Sequence, residues 1–187
     1  MDEKPDNLGR DMLAAVSFAA RAHQGQFRHD GATPYASHPF RVCLIVREIF
    51  GVADQRALIA AILHDTIEDT KTDFDDVAEQ FGEEVAGWVA TLSKDKRLKE
   101  TEREEAYVAG LREAPWQVQV CKLGDVYDNL LDARTSDAKK RSKTFKNARR
   151  YLDALRSDRP ETARRWKLVS DLLGELESQE TGRSGGA

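Results

Sequence analysis

Cysteine is nearly absent from this sequence, at two residues in 187. Cys43 and Cys121 lie in unrelated apolar contexts without C-x-x-C spacing, which excludes a disulfide framework and a cysteine zinc site and leaves two buried free thiols. Long apolar runs are missing too. Nothing approaches the roughly 20 residues of a membrane span, and the opening MDEKPDNLGR is polar and acidic, so a soluble, cytoplasmic protein without membrane contact is expected. Nor is there an excess of positive charge. The 29 Lys plus Arg stand against 33 Asp plus Glu, a net charge of −4, which argues against general attraction to nucleic acid or an anionic membrane. Finally, no segment alternates with period two between hairpin turns, and no internal repeat or Pro/Gly/Ser-rich linker divides the chain. Sheet architectures and multidomain arrangements drop out.

What remains is a helical period almost everywhere. Residues 7–27 place Leu8, Met12, Ala15, Ala19 and Ala22 three and four apart, the stripe of an amphipathic helix. DGATP, at 30–34, breaks it. Ser37 before His38 and Pro39 suits a helix start, and the helix runs toward Gly51. Asp54 predicts the N-cap of a helix over QRALIAAILHDTIED, 55–69. Thr72 or Asp73 predicts the cap of a short helix ending at Phe81–Gly82. Further helices are expected over 83–92, 100–113, 116–133, 139–157 and 161–177. The expectation is one compact all-α, multi-helix domain over 1–177, a length sufficient for a sizeable core, followed by a flexible tail over 178–187.

The stretch AILHDTIEDT, 61–70, sets four acid or imidazole side chains among apolar ones. On one helix, His64 with Glu68 and Asp65 with Asp69 form neighbouring pairs four apart. Ile59, Ile62, Leu63 and Ile67 fill much of the remaining circumference, so the acids face a cleft. Carboxylates withdrawn from water need a cation, and mixed imidazole and carboxylate donors suit a first-row divalent metal. The same stretch could instead be the solvated end of a buried helix. Elsewhere, His38 opens a helix in YASHPF, and Asp125 interrupts the apolar VQVCKLGDVYDNLLDA, where a lone aspartate needs a partner.

Taken together, HP at 38–39, LHDTIEDT at 63–70, FG at 81–82 and KLGDVYDNL at 122–130 resemble, in order and spacing, the HD-superfamily hydrolase domain of the RelA/SpoT proteins. The similarity is greatest to the small stand-alone alarmone (ppGpp) hydrolases. AHQGQFRHDGATPYASHP is similar to the upstream signature of that family, and the resemblance covers roughly residues 10–135. It implies an all-α HD-domain fold and metal-dependent hydrolysis of the 3′-diphosphate of guanosine alarmones, releasing pyrophosphate and GDP or GTP. By matched position it implies His38, His64, Asp65 and Asp125 as ligands of one Mn²⁺-type ion. Glu68 and Asp69 match the pair that activates or orients water. Asn129 and Arg28 match substrate contacts, with His29 standing where the family often has lysine. Lys94 and Lys122 are read as phosphate partners, since they can stabilise a departing diphosphate.

Several departures bear on the substrate. The segment between Arg28 and Pro34 is one residue longer than in the long RelA/SpoT proteins. Gly124 replaces an alanine, costing a helix interior up to ~1 kcal/mol. Val126, Tyr127 and Asp128 replace the usual basic, apolar, and His or Tyr positions. Two other functions therefore stand beside alarmone hydrolysis: an HD-type phosphohydrolase acting on another nucleoside 3′-diphosphate or a 2′- or 3′-phosphorylated cofactor, and a catalytically silent nucleotide sensor. KKRSKTFKNARR, 139–150, holds seven basic residues and no acid. It reads either as a guide for polyphosphate or as a solvated face balanced by ETEREE at 100–105. The sequence leaves the oligomeric state open.

Overall fold

The structure is a computed structural model, and it describes residues 8–184. Ten α-helices follow in order: α1 (Leu8–Ala22), α2 (Ser37–Leu44), α3 (Gln55–Leu63), α4 (Thr66–Asp69), α5 (Phe74–Phe81), α6 (Glu83–Leu92), α7 (Glu100–Glu113), α8 (Trp116–Ala133), α9 (Ala138–Ala154) and α10 (Pro160–Ser184). Among the described residues the only extended pairing is a single bridge between Phe27 and Pro34. The all-α expectation holds. No helix among the described residues is long and apolar enough to cross a membrane.

The centre of the fold is α3 against α8. Every residue from Ala57 to Leu63 is buried, as expected for a helix that is apolar all round. α8 packs on α2, α3, α6, α9 and α10 and buries twelve of its residues, including the polar Lys122, Asp125 and Asp128. The core therefore surrounds these charged groups and places them where only partners, not water, can satisfy them. The expected caps form. Asp54 accepts from the Ala57 N–H at 3.1 Å, and Asp73 with Asp76 closes a reciprocal capping box at the start of α5.

Four stretches depart from the periodicity, besides α9, which ends at Ala154 and not at 157. α1 stops at Ala22, because Gly25 turns the chain at φ 80° and Asp30 accepts the Ala32 and Thr33 N–H groups at 2.9 and 2.8 Å. α2 continues as a π-helical turn over Ile45–Ile49, closed by Phe50 N–H on the Ile45 carbonyl. The helix expected over 55–69 is broken at His64–Asp65. There Thr66 Oγ1 donates to the Leu63 carbonyl at 2.7 Å and the His64 ring donates to the Ala61 carbonyl at 2.8 Å. Side chains thus occupy carbonyls that the next helical turn would have used. Last, α10 passes residue 178, where the tail was expected, and runs to Ser184. Leu176 packs in the core there, and Arg141 and Arg149 of α9 pair with Glu180 and Glu177; residues 185–187 of that tail lie outside the described residues.

Candidate functional site

The break after α3 builds the site. α2 supplies His38, the end of α3 supplies His64, the turn after it Asp65, and α8 Asp125. Donor atoms of His38, His64 and Asp65 lie within 4.8 Å of one another. Asp125 Oδ1 adds to them, 3.2 Å from His38 Nε2 and 3.9 Å from His64 Nε2. On the other side, Asp65 Oδ2 is 3.5 Å from His38 Nε2. The four residues named from the sequence are brought to one point.

The hydrogen bonds say which nitrogens face that point. His64 Nδ1 lies on a carbonyl, which can only accept, so Nδ1 carries the proton and Nε2 is left as a lone pair. That Nε2 is buried without a hydrogen-bond partner, an expensive omission unless something electropositive meets it. Two imidazole nitrogens and two carboxylates, converging without a hydrogen-bond donor for one of them, form the donor set of a divalent first-row cation. The residues present fit a metal.

Without the ion, the charges hold one another. Burial opposes the charged form of both rings, but hydrogen bonds that His38 donates to Asp125 and Asp128 raise it to about 9. The negative charge of the neighbouring Asp65 raises His64. Burial also opposes ionisation of Asp125, yet Lys122 and the two histidines hold it well below the usual carboxylate range. Its Oδ2 accepts from Lys122 Nζ at 2.7 Å and its Oδ1 from Asn129 Nδ2 at 2.6 Å. Lys122 is itself enclosed by aromatic faces, 4.3 Å from the Tyr151 ring centre and 5.2 Å from that of Tyr107.

Glu68 and Asp69 follow on α4, beside the cluster but outside its point of convergence. Glu68 Oε2 accepts the Lys94 N–H at 2.9 Å, and burial pushes its pKa up. Asp69 Oδ1 pairs with Lys96 at 2.7 Å. A cavity of about 620 Å³ opens from the same place, with Asp125, Asn129, Lys94, Lys122, His29 and Tyr151 in its wall. Lys94 reaches this wall while pairing with Glu104 at 2.7 Å. Arg28 is turned elsewhere and donates to Asp132.

The basic run of α9 divides between ion pairs and the cavity. Arg141, Arg149 and Arg150 pair with Glu180, Glu177 and Glu104, whereas Lys139, Lys140 and Lys143 line the cavity with Thr144 and Asn147. The arginines of the run are thus ion-paired, two with α10 and one with Glu104 of α7, while its lysines at 139, 140 and 143 line the cavity. Sequence reasoning missed three contributors: Tyr35, whose hydroxyl donates to Asp65 Oδ2 at 2.6 Å; Asp128, 2.7 Å from His38 Nδ1; and the Tyr107–Tyr151 pair around the lysines. Tyr35 could have been found from its place three residues before His38 in PYASHP. The tyrosine pair, 44 positions apart, leaves no local signal.

The family model described as HD domain matches residues 15–158. Among curated proteins, the chain is 32% identical over 150 residues to guanosine-3′,5′-bis(diphosphate) 3′-pyrophosphohydrolase MESH1 of Drosophila melanogaster, covering 77% of this chain and 84% of that protein. It is 39% identical over 122 residues to the protein of the same name from Homo sapiens, covering 65% and 68%. Among solved structures, one described as a metazoan SpoT orthologue that hydrolyses ppGpp and plays a role in starvation responses superposes with a TM-score of 0.79 at 29% identity, covering 96% of this chain and 98% of that one.

Proposed function

This chain belongs to the HD domain family, and we propose that it hydrolyses the 3′-diphosphate ester of guanosine 3′,5′-bis(diphosphate)-type nucleotides, releasing pyrophosphate and GDP or GTP. One observation carries the reading: Asp125, which converges with His38, His64 and Asp65, also stands in the wall of a lysine-lined cavity of about 620 Å³, within the size range of small-molecule sites. The relatives' stated activity supports the choice of substrate.

His38, His64, Asp65 and Asp125 would hold one divalent ion, proposed as Mn²⁺, which when bound supplies Lewis-acid polarisation of a phosphoryl oxygen and lowers the pKa of water. The chain's own groups do the rest. Glu68, whose burial raises its affinity for a proton, accepts the proton of the attacking water, with Asp69 orienting that water. Lys94 and Lys122 meet the departing diphosphate, and Lys139, Lys140 and Lys143 meet the 5′-phosphates, each by charge-assisted hydrogen bonds. Asn129 bridges Asp125 and the substrate, and His29 flanks the nucleoside. The cytoplasmic setting belongs to the same proposal and is supported by two free, buried thiols.

A second reading, the same chemistry on another phosphorylated nucleotide, is favoured by Arg28. Its guanidinium is committed to Asp132 and would have to leave that carboxylate to reach a guanosine nucleotide.

The test is turnover of guanosine 3′-diphosphate 5′-diphosphate by metal-stripped protein with and without Mn²⁺, beside a panel of other phosphorylated nucleotides. Mn²⁺-dependent pyrophosphate release, fastest from the alarmone, is expected. Hydrolysis of a panel member alone would move the substrate, and binding of nucleotides without turnover would make the protein a sensor.

A further inference from the structure

Each imidazole at the centre has one nitrogen committed away from it. For His64 that partner is the Ala61 carbonyl at 2.8 Å. For His38 it is a second carboxylate of α8, Asp128, with Oδ2 2.7 Å from Nδ1. Asp125 and Asp128 are three residues apart and so share a helix face. One face of α8 thereby grips both edges of a single ring: Asp125 Oδ1 at 3.2 Å from Nε2 and Asp128 on Nδ1.

Asp128 is fully buried, at 0% exposure, a position that a carboxylate tolerates only when compensated. The compensation comes from α2 and the loop before it. Arg41 Nε lies 2.8 Å from Oδ1, and an Arg28 guanidinium nitrogen lies 3.9 Å from Oδ2. Arg41 and Arg28 also meet at Asp132, one helical turn further along α8.

We propose that Asp128 is a positioning residue for His38: its carboxylate accepts the Nδ1–H, fixes the ring so that Nε2 is the nitrogen presented to the divalent ion, and strengthens that nitrogen as a donor. An ionised carboxylate only accepts, so the bond has one direction. Carboxylates in this place on a ligating histidine set both tautomer and ligand strength. The inference rests on the metal reading above.

The test is Mn²⁺ titration calorimetry on the full-length chain and on its Asp128→Asn, Asp128→Ala and Arg41→Met variants, with thermal unfolding of the metal-free proteins. It is paired with ¹⁵N NMR of the His38 ring in Zn²⁺-loaded wild-type protein. Asp128→Asn keeps an acceptor oxygen without its charge and should weaken Mn²⁺ binding about tenfold; Asp128→Ala should approach about 100-fold. Arg41→Met removes the ion pair but leaves the ring contact, so it should move Tm while Mn²⁺ affinity stays within about threefold. The His38 spectrum should show Nδ1 protonated. Folded Asp128 variants binding Mn²⁺ as tightly as wild type, or a wild-type His38 with unprotonated Nδ1, would overturn the proposal and leave the metal reading standing. Wild-type protein that binds no Mn²⁺ would remove both. Should Asp128→Ala fail to fold, Asp128→Asn and the wild-type spectrum decide.

Discussion

Replacing Gly124 by alanine pits two opposite effects against each other. Glycine in a helix interior costs ~1 kcal/mol against alanine, so propensity alone makes Gly124→Ala stabilising. The packing opposes this. A Cβ at this position would lie 2.7 Å from Val46 Cγ2 and 3.3 Å from Val42 Cγ1, against an ordinary carbon–carbon contact of ~3.5–4.0 Å. Val42 and Val46 are fully buried, at 0% exposure, and β-branched side chains have little rotamer freedom with which to yield. Overpacking of this kind costs ~1–3 kcal/mol, so the net change should be a loss of up to ~2 kcal/mol, or up to ~8 °C in Tm at the ~2–4 °C per kcal/mol typical of this chain length. Gly110 on α7 is the internal control, since nothing lies within 4 Å of a Cβ there. Gly110→Ala should stabilise by ~1 kcal/mol. Urea unfolding of both variants measures the difference. Because α8 carries Asp125 next to Gly124 while α2 carries His38, separation of the two helices should also weaken Mn²⁺ binding. Adding Val46→Ala should recover part of both losses, a coupling of ~1–2 kcal/mol in the double-mutant cycle. Gly124→Ala as stabilising as Gly110→Ala, with no coupling to Val46→Ala, would refute the reasoning.

Alanine at Lys139, Lys140 and Lys143 together should raise KM for a 5′-polyphosphorylated substrate on the order of 10- to 100-fold and flatten its salt dependence, with kcat little changed; steady-state kinetics at two ionic strengths would show it. Glu68→Gln should keep Mn²⁺ binding by calorimetry and lose most of the turnover, on the order of 10²–10⁴-fold. The same change should raise Tm slightly near neutral pH. Burial raises the folded pKa of Glu68, so the folded chain binds more protons there than the unfolded one, and stability falls as pH rises from the unfolded value through the folded one; equal Tm-against-pH curves for Glu68→Gln and wild type would contradict this. Mn²⁺ at 100 times its Kd should stabilise the fold by ~2.7 kcal/mol, and chelation should reverse the gain in a thermal melt. Burial pushes the Cys43 thiol up to about 11 and Cys121 higher still, so neither should react with iodoacetamide at pH 8 until the chain is unfolded, as mass spectrometry would report.

Much of the fold was legible because most of its information is local. The helical period, the Asp54 and Asp73 caps and the stop before Gly82 are written within a few residues of where they act, and each forms as read. What periodicity missed are places where a side chain competes with the backbone. Nothing in the apolar pattern of 55–69 shows that Thr66 and His64 take the Leu63 and Ala61 carbonyls, yet those two bonds end α3. α10 outran its expected end for the complementary reason. Its last turns are held by arginines of α9, some 30 to 40 positions earlier, a support that no local window contains.

The same distinction governs the site. The resemblance to the HD-superfamily hydrolases named His38, His64, Asp65 and Asp125 together, and the fold brings them together, but the helical stripe first read for Asp65 with Asp69 is not how the fold uses it. On a continuous helix Asp65 would point about 100° from His64. The break instead leaves His64 as the last cap of α3 and Asp65 in the turn, so that its two oxygens reach His64 Nε2 at 3.1 Å and His38 Nε2 at 3.5 Å. Asp69 stays on α4 and faces Lys96 at the surface. The interruption in hydrogen bonding is therefore what turns adjacent residues in sequence into two donors at one point: His64 gives one nitrogen to a backbone carbonyl in ending the helix, and by that same bond its other nitrogen is left facing Asp65 and Asp125.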